Sequence, residues 1–194
     1  MVNPVMLVLS GPSGAGKTTV ARRLLKENEC LRRVVTCTTR EPREGEVDGK
    51  DYFFLTNEEF TRTIEASDFL EHAEVYGNQY GTRHVDVRNK LQTGSNVLLV
   101  NDIQGAGTIR VLAKEDELFG PALVMVCLMT EGLVELKERL ESRGQDSREV
   151  INQRLERAKE EIVRVDEFDH VVVSGSREED WQRVQAIYEA AKHG

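Results

Sequence analysis

The segment Gly11-Pro12-Ser13-Gly14-Ala15-Gly16-Lys17-Thr18 is the densest chemical signal in this chain of 194 residues. Its spacing, G-x-x-x-x-G-K-[ST], is that of a loop built around phosphate. The glycines let the backbone curl so that successive N–H groups converge on phosphate oxygens. A helix starting near Lys17 adds the positive end of its dipole. Lys17 is placed to reach the β- and γ-phosphates of a nucleotide, and the Thr18 hydroxyl to bind Mg²⁺. A Mg²⁺-bound triphosphate also calls for a carboxylate at the end of a neighbouring strand. Asp102 follows the apolar run Val97-Leu98-Leu99-Val100 and stands where that carboxylate belongs; it equally suits a helix cap ahead of Gln104.

A phosphate loop names a nucleotide and not a reaction. The second chemical stretch runs from Thr36 to Thr82. Arg40 and Arg43 are three residues apart and braced by Pro42, so they can fork around one phosphate with bidentate hydrogen bonds. Tyr52 and Tyr80 add phenolic donors for the same group. Taken alone, these residues read as well as a solvated basic loop in an acidic protein. Glu71, in Phe69-Leu70-Glu71-His72-Ala73, is a lone carboxylate in an apolar setting. Arg139, Arg143, Arg154 and Arg157 form a third, arginine-dense stretch.

The elements that must hold these residues alternate. Val5 to Leu9, Val97 to Val100, Ala122 to Met129 and His170 to Val173 are short apolar runs of the kind found in a buried parallel sheet. Helical patterns cover Thr18 to Lys26, Gln104 to Ala113, Gly132 to Arg143, Ser147 to Val165 and Glu178 to Lys192, with Asp146 and Glu149 forming a capping box. The fold class is α/β, a parallel sheet flanked by helices. Residues 34 to 82 break the alternation: strand-prone Val34 to Thr36, Tyr52 to Leu55 and Phe69 to Val75 surround a helix from Asn57 to Ala66. They are expected to form an inserted mixed α+β subdomain, leaving 1–33 and 83–194 as the core, with a helical lid at about 137–157.

Composition narrows the partners. Hydrophobic residues at 39% and charged residues at 31% suit a soluble, core-forming chain, and the formal net charge of −8 opposes non-specific adhesion to nucleic acid or an anionic membrane. Any polyanion must therefore meet a local positive site. Cys30, Cys37 and Cys127 are odd in number and widely spaced, which argues against a disulfide framework or zinc site and for a reducing cytoplasm. No apolar run approaches the roughly 20 residues of a membrane span. Met1-Val2-Asn3-Pro4 lacks the basic start of a signal peptide.

Thr38-Thr39-Arg40-x-Pro42-Arg43-x-Gly45-Glu46, Gly49-x-Asp51-Tyr52-x-Phe54, Glu71, Tyr80-Gly81 and Asp102-x-Gln104-Gly105 resemble guanylate kinase, in order and separation. With the phosphate loop at one end and Arg139, Arg143 and Arg154 at the other, the resemblance covers essentially the whole chain. It implies ATP-dependent phosphorylation of GMP, and of dGMP, to GDP in purine nucleotide metabolism. ATP would bind Gly11, Pro12, Ser13, Gly14, Ala15, Gly16, Lys17, Thr18 and Thr19, with Arg139 near its base and Mg²⁺ held by Thr18 and by Asp102, directly or through water. GMP would bind Arg40, Arg43, Tyr52 and Tyr80 by its phosphate. Glu71, Thr36 and Thr82 would meet its base, beside Gly81 and Asp102. Lys17, Arg40, Arg143 and Arg154 would be the catalytic cations. Guanine chemistry agrees, because N1–H and N2–H₂ are donors that one carboxylate accepts together, and O6 is an acceptor for a threonine hydroxyl. Adenine would turn a lone pair towards Glu71.

Three positions depart from the family pattern: Thr36 for the commoner serine, Val100 for an acidic residue, and Ser174 for an asparagine near the adenine. Two other readings compete. Guanylate-kinase-like modules in scaffolds bind proteins, but typically lack a competent phosphate loop, which is intact here. A phosphate-loop kinase for a bisphosphorylated sugar would use Arg40, Arg43 and the tyrosines but leave Glu71 and Thr36 without a purpose. Small-molecule partners and a monomer or homodimer are expected.

Overall fold

Five strands account for the main sheet, and their sequences show why it is buried. Strands β1 (Met6–Ser10), β7 (Asn96–Val100) and β8 (Leu123–Met129) are apolar on both faces, as a sheet covered on both sides demands. Short β2 (Leu31–Arg33) and β9 (His170–Val173) close the edges, giving the order β2-β7-β1-β8-β9 with every pairing parallel. These elements come from a computed structural model, which describes residues 4–75, 77–142, 144 and 147–193.

Side chains alternate between two cores. Met6, Val8, Val97 and Leu99 pack with Ile103 and Ile109 of α4 (Ile103–Ala113) and with Phe119 of the short α5 (Phe119–Ala122) on one face. Leu7, Leu9 and Leu98 pack with Leu24 of α1 (Lys17–Glu27) and Val184 and Tyr188 of α8 (Arg177–Ala191) on the other. A third cluster joins Leu136 and Leu140 of α6 (Leu133–Ser142) to Ile151 and Ala158 of α7 (Arg148–Ile162).

A second, four-stranded sheet has the order β4-β3-β6-β5, from β3 (Cys37–Thr38), β4 (Phe53–Phe54), β5 (Phe69–Val75) and β6 (Asn78–Arg83). It is mixed: β3 runs parallel to β4, whereas β6 runs antiparallel to β3 and β5. Helix α2 (Asn57–Glu65) begins with a capping box between Thr56 and Glu59, and α3 (His84–Gln92) leads back to the main sheet.

Three expectations need correction. Val34 to Thr36 is not a strand. It crosses between the two sheets, with the Val34 N–H donating to the Leu98 carbonyl on one side and the Thr36 carbonyl accepting from Phe53 on the other. Strand β6 and helix α3 were not expected at all, because Asn78-Gln79-Tyr80-Gly81-Thr82-Arg83 is polar and glycine-bearing and takes its order from pairing with β5. Finally, Ser147 caps α7, its hydroxyl accepting from Val150 N; Asp146, expected as the cap, lies outside the described residues. No helix among the described residues is long and apolar enough to cross a membrane.

Candidate active site

The phosphate loop leaves β1 at Ser10 and enters α1 at Lys17, as the spacing predicts. Gly11 has φ +135°, and a Cβ there would lie 2.0 Å from the Leu128 carbonyl oxygen, so only glycine fits. Gly16 is the N-cap of α1, and no side chain caps that first turn. The helix N-terminus is thereby left to receive an anion. Lys17 curls back over its own loop, donating to the Gly11 and Pro12 carbonyls, the latter at 3.0 Å. A lysine folded onto its loop is poised to swing onto a phosphate that enters it.

Facing the loop across a cleft of about 280 Å³ is the second sheet. Gly11, Ser13, Gly14, Gly16, Lys17, Thr18 and Thr19 line one wall; Thr36, Arg43, Tyr52, Glu71 and Tyr80 line the other. Asp102 and Asn101 stand between them at the end of β7. Pro12 and Ala15 are buried within the loop.

Glu71 is the unusual group. It points off β5 into the protein, 4% exposed, where its Oε1 accepts from Thr82 Oγ1 at 2.6 Å and from Asn101 Nδ2 at 2.8 Å. Burial pushes its carboxyl up to about 7; the Asp102 charge adds to the rise and the hydrogen bonds from Thr82 and Asn101 oppose it. A carboxylate in such a place is expensive unless a ligand completes its hydrogen bonding. Gly105 makes room for it: a Cβ there would sit 2.6 Å from Glu71 Oε2.

Around the outer end of the cleft the aromatic residues gather. The Tyr52 and Tyr80 rings meet edge-on with centroids 6.1 Å apart, and the Tyr80 hydroxyl lies beside Arg40. Arg40 is not among the lining residues. Its guanidinium sits 5.3 Å from the Tyr52 ring, and its Nη2 donates to both Glu46 carboxylate oxygens at 2.9 Å. Arg43 is exposed and lines the cleft. Gly81 is buried against Phe69 and Phe60, behind the lining.

Asp102 serves two purposes at once. Its Oδ1 accepts from Gly105 N at 2.8 Å, capping α4, and its Oδ2 accepts from Arg157 at 2.6 Å. Arg157, on α7, also donates to Glu161 at 3.2 Å. Glu161 lines the cleft, and burial raises its carboxyl above the ordinary range, against the pull of Lys17 and Arg157. Thr18 and Asp102 offer oxygen donors only, which suits a hard cation such as Mg²⁺ carried in on phosphate. With both Asp102 oxygens already engaged, contact through water fits better than direct ligation.

Arg154, on α7, lines the cleft and donates to Ser13 Oγ at 3.0 Å. Arg139 lies elsewhere. It borders a separate hollow of about 390 Å³ beside Gly14, Gly16 and Thr19, where it bonds Ser174 Oγ at 2.9 Å. Ser174 in turn donates to buried Asp180 at 2.5 Å. Arg143 lies outside the described residues. Asn101 and Glu161 were not singled out from sequence, and Arg157 only as a member of the arginine-dense stretch. The only signals were a polar residue closing an apolar strand and an Arg–Glu pair spaced i, i+4.

The guanylate kinase family model matches residues 3–191. A guanylate kinase from Novosphingobium aromaticivorans is 44% identical over 97% of this chain and 82% of its own length. One from Clostridium perfringens is 42% identical over 97% of this chain and 84% of its own. Among solved structures, the guanylate kinase of Anaplasma phagocytophilum superposes with a TM-score of 0.79 at 32% identity, covering all of this chain and 89% of that one.

Proposed function

This chain belongs to the guanylate kinase family, and from that premise we propose how its cleft carries a phosphoryl group from ATP to GMP. The observation that carries the assignment is the meeting, in one cleft, of a phosphate loop and a buried base-accepting carboxylate, Glu71.

ATP lies with its phosphates in the loop from Gly11 to Thr18, capped by the N-terminus of α1, and its base towards the hollow beside Arg139 and Thr19. GMP lies against the second sheet. Arg43, Tyr52 and Tyr80 hold its phosphate, with Arg40 reaching round from its Glu46 anchor. Glu71 accepts from guanine N1–H and N2–H₂, backed by Thr82, while the Thr36 hydroxyl donates to O6. Because these contacts address base and phosphate, dGMP is a substrate too.

An oxygen of the GMP phosphate attacks the γ-phosphorus in line; the bond to the β,γ-bridging oxygen breaks, and ADP leaves. No general base is needed, since that phosphate is already largely ionised. Lys17 leaves its loop carbonyls for the β- and γ-oxygens, and Arg154 and Arg143 close from the lid to neutralise charge on the moving group. Alignment and charge stabilisation supply most of the rate. Thr18 and, through water, Asp102 would hold Mg²⁺, which when bound neutralises charge on the phosphate oxygens. Closure of residues 137–157 over the cleft would exclude water and suppress ATP hydrolysis. The free thiols of Cys30, Cys37 and Cys127 support a cytoplasmic setting.

ADP release with GMP, dGMP, AMP, CMP, UMP and sugar phosphates tests the acceptor. GMP and dGMP should stand well above the rest, and a preference for a pyrimidine nucleotide or a sugar phosphate would overturn the assignment. Lys17→Ala should abolish turnover yet retain GMP binding; near-normal kcat in that variant refutes the role given to Lys17.

A further inference from the structure

Guanine brings three N–H donors to its pocket, one on N1 and two on the 2-amino group, and Glu71 does not have three acceptors to spare. Its Oε1 already takes hydrogen bonds from Thr82 Oγ1 at 2.6 Å and Asn101 Nδ2 at 2.8 Å. Its Oε2, packed over Gly105, has room for two donors at most. Asp102, the neighbouring carboxylate, already accepts from Gly105 N and Arg157, so a further acceptor close by is called for.

Asn101 supplies one. The residue is 8% exposed and lines the cleft. A carboxylate accepts and does not donate, so the amide nitrogen is the end turned to Glu71 and the oxygen is the end turned away. That oxygen, Oδ1, is buried and has no hydrogen-bond partner among the described residues. Buried amide oxygens are rarely left unbonded, because desolvation without a partner is costly. The backbone explains why the side chain stays put: Asn101 N donates to the Leu9 carbonyl at 3.2 Å, locking the residue onto the end of β1.

We propose that Asn101 is a specificity-determining residue whose Oδ1 accepts a proton of the guanine 2-amino group, so that the site selects 2-aminopurines over 6-oxopurines lacking that amine. Glu71 then reads N1–H and one amino proton, and Asn101 reads the other. The assignment rests on the reading that Glu71 faces the base, and it adds a distinction that Glu71 alone does not make. IMP presents the same N1–H and O6 as GMP and differs only at C2. A site with an acceptor aimed at the amine leaves that acceptor unpaired when IMP binds.

The test is the ratio of kcat/KM for GMP to that for IMP, in the wild type and in Asn101→Leu, which keeps the branched outline and removes the acceptor together with the donor to Glu71. Measurement at pH 8.5 keeps Glu71 ionised in both. Both substrates lose the Asn101 donor that steadies Glu71, but GMP should fall about tenfold further than IMP, lowering the ratio by that factor. Asn101→Ala serves the same purpose if the leucine variant does not accumulate. Should GMP and IMP fall in parallel, Asn101 only positions Glu71, and the proposal is overturned; an unchanged ratio with unchanged rates overturns it as well. Glu71→Gln separates this from failure of the underlying reading. Collapse of the GMP-to-AMP preference in that variant, together with an unaltered GMP-to-IMP ratio in Asn101→Leu, would sink the Asn101 assignment alone.

Discussion

Glu71→Gln should make the ligand-free protein more stable at neutral pH while damaging its choice of substrate. The carboxyl titrates at about 7 in the fold against an ordinary 4.5, chiefly because burial disfavours its charge. A raised carboxyl binds its proton more tightly folded than unfolded. Its contribution is therefore present below pH 4.5 and is lost as pH climbs to about 7. At about 1.36 kcal/mol per pH unit, the wild type gives up about 3 kcal/mol across that window. Glutamine carries no charge to desolvate, and its Oε1 can still accept from Thr82 and Asn101. Its NH₂, crowded at Gly105, would return part of the gain, leaving about 1–3 kcal/mol at pH 8. Urea melts of both proteins at intervals from pH 5 to 8, without nucleotide, give the difference directly, and its growth with pH is the signature. For a chain of this size each kcal/mol is about 2–4 °C in Tm, so thermal melts resolve it too. A difference that stays flat over the range, or shrinks as pH rises, refutes the argument that burial of this carboxyl costs stability. In the same variant KM for GMP should rise far more than KM for ATP.

Two other perturbations probe the surroundings of Glu71 and Asp102. Gly105→Ala suits the helix by about 1 kcal/mol, yet its Cβ would press on Glu71 Oε2. KM for GMP should rise about tenfold or more, with KM for ATP little moved, and steady-state kinetics with both constants unchanged would show that Glu71 does not need its place. Arg157→Met removes the cation shared by Asp102 and Glu161. It should cut kcat about tenfold and move the acid limb of the kcat profile to higher pH, because Glu161 loses a charge that favours its ionised form. A pH profile identical to the wild type would show that the charge on Glu161 does not govern turnover.

What the sequence disclosed follows from how local each signal is. The phosphate loop is eight consecutive residues between a strand and a helix, so spacing alone defined it. Parallel strands announced themselves because burial on both faces leaves continuous apolar runs, as in Val97 to Val100. Strand β6 left no such trace: Asn78 to Arg83 is a strand because β5 and β3 flank it. The Asn101–Glu71 bond spans 30 residues and the Arg157–Asp102 pair spans 55. No periodicity encodes contacts of that kind. Glu71 itself was legible through family resemblance, whereas the reason for its perturbed titration, burial beside Thr82 and Asn101, belongs to the fold.

The chain's acidity raised a difficulty for any site that must hold two anionic nucleotides, and the cleft shows how it is met. Lys17, Arg43, Arg154 and Arg157 line it together with Glu71, Asp102 and Glu161. Counted as formal charges, the two sets nearly cancel. They are not equivalent, however. Burial lifts the Glu71 and Glu161 carboxyls towards their neutral forms, and Arg157 covers both Asp102 and Glu161. The acidic members are thereby turned inward or paired, while the loop lysine, Arg43 and Arg154 border the space where phosphates would lie. Fields from the distant acidic surface fade over a Debye length of about 8 Å at physiological salt. On the proposed reading, the net charge of −8 and the affinity for phosphate are set by different parts of the molecule. The first belongs to the outer surface; the second belongs to a helix N-terminus and the cations beside it.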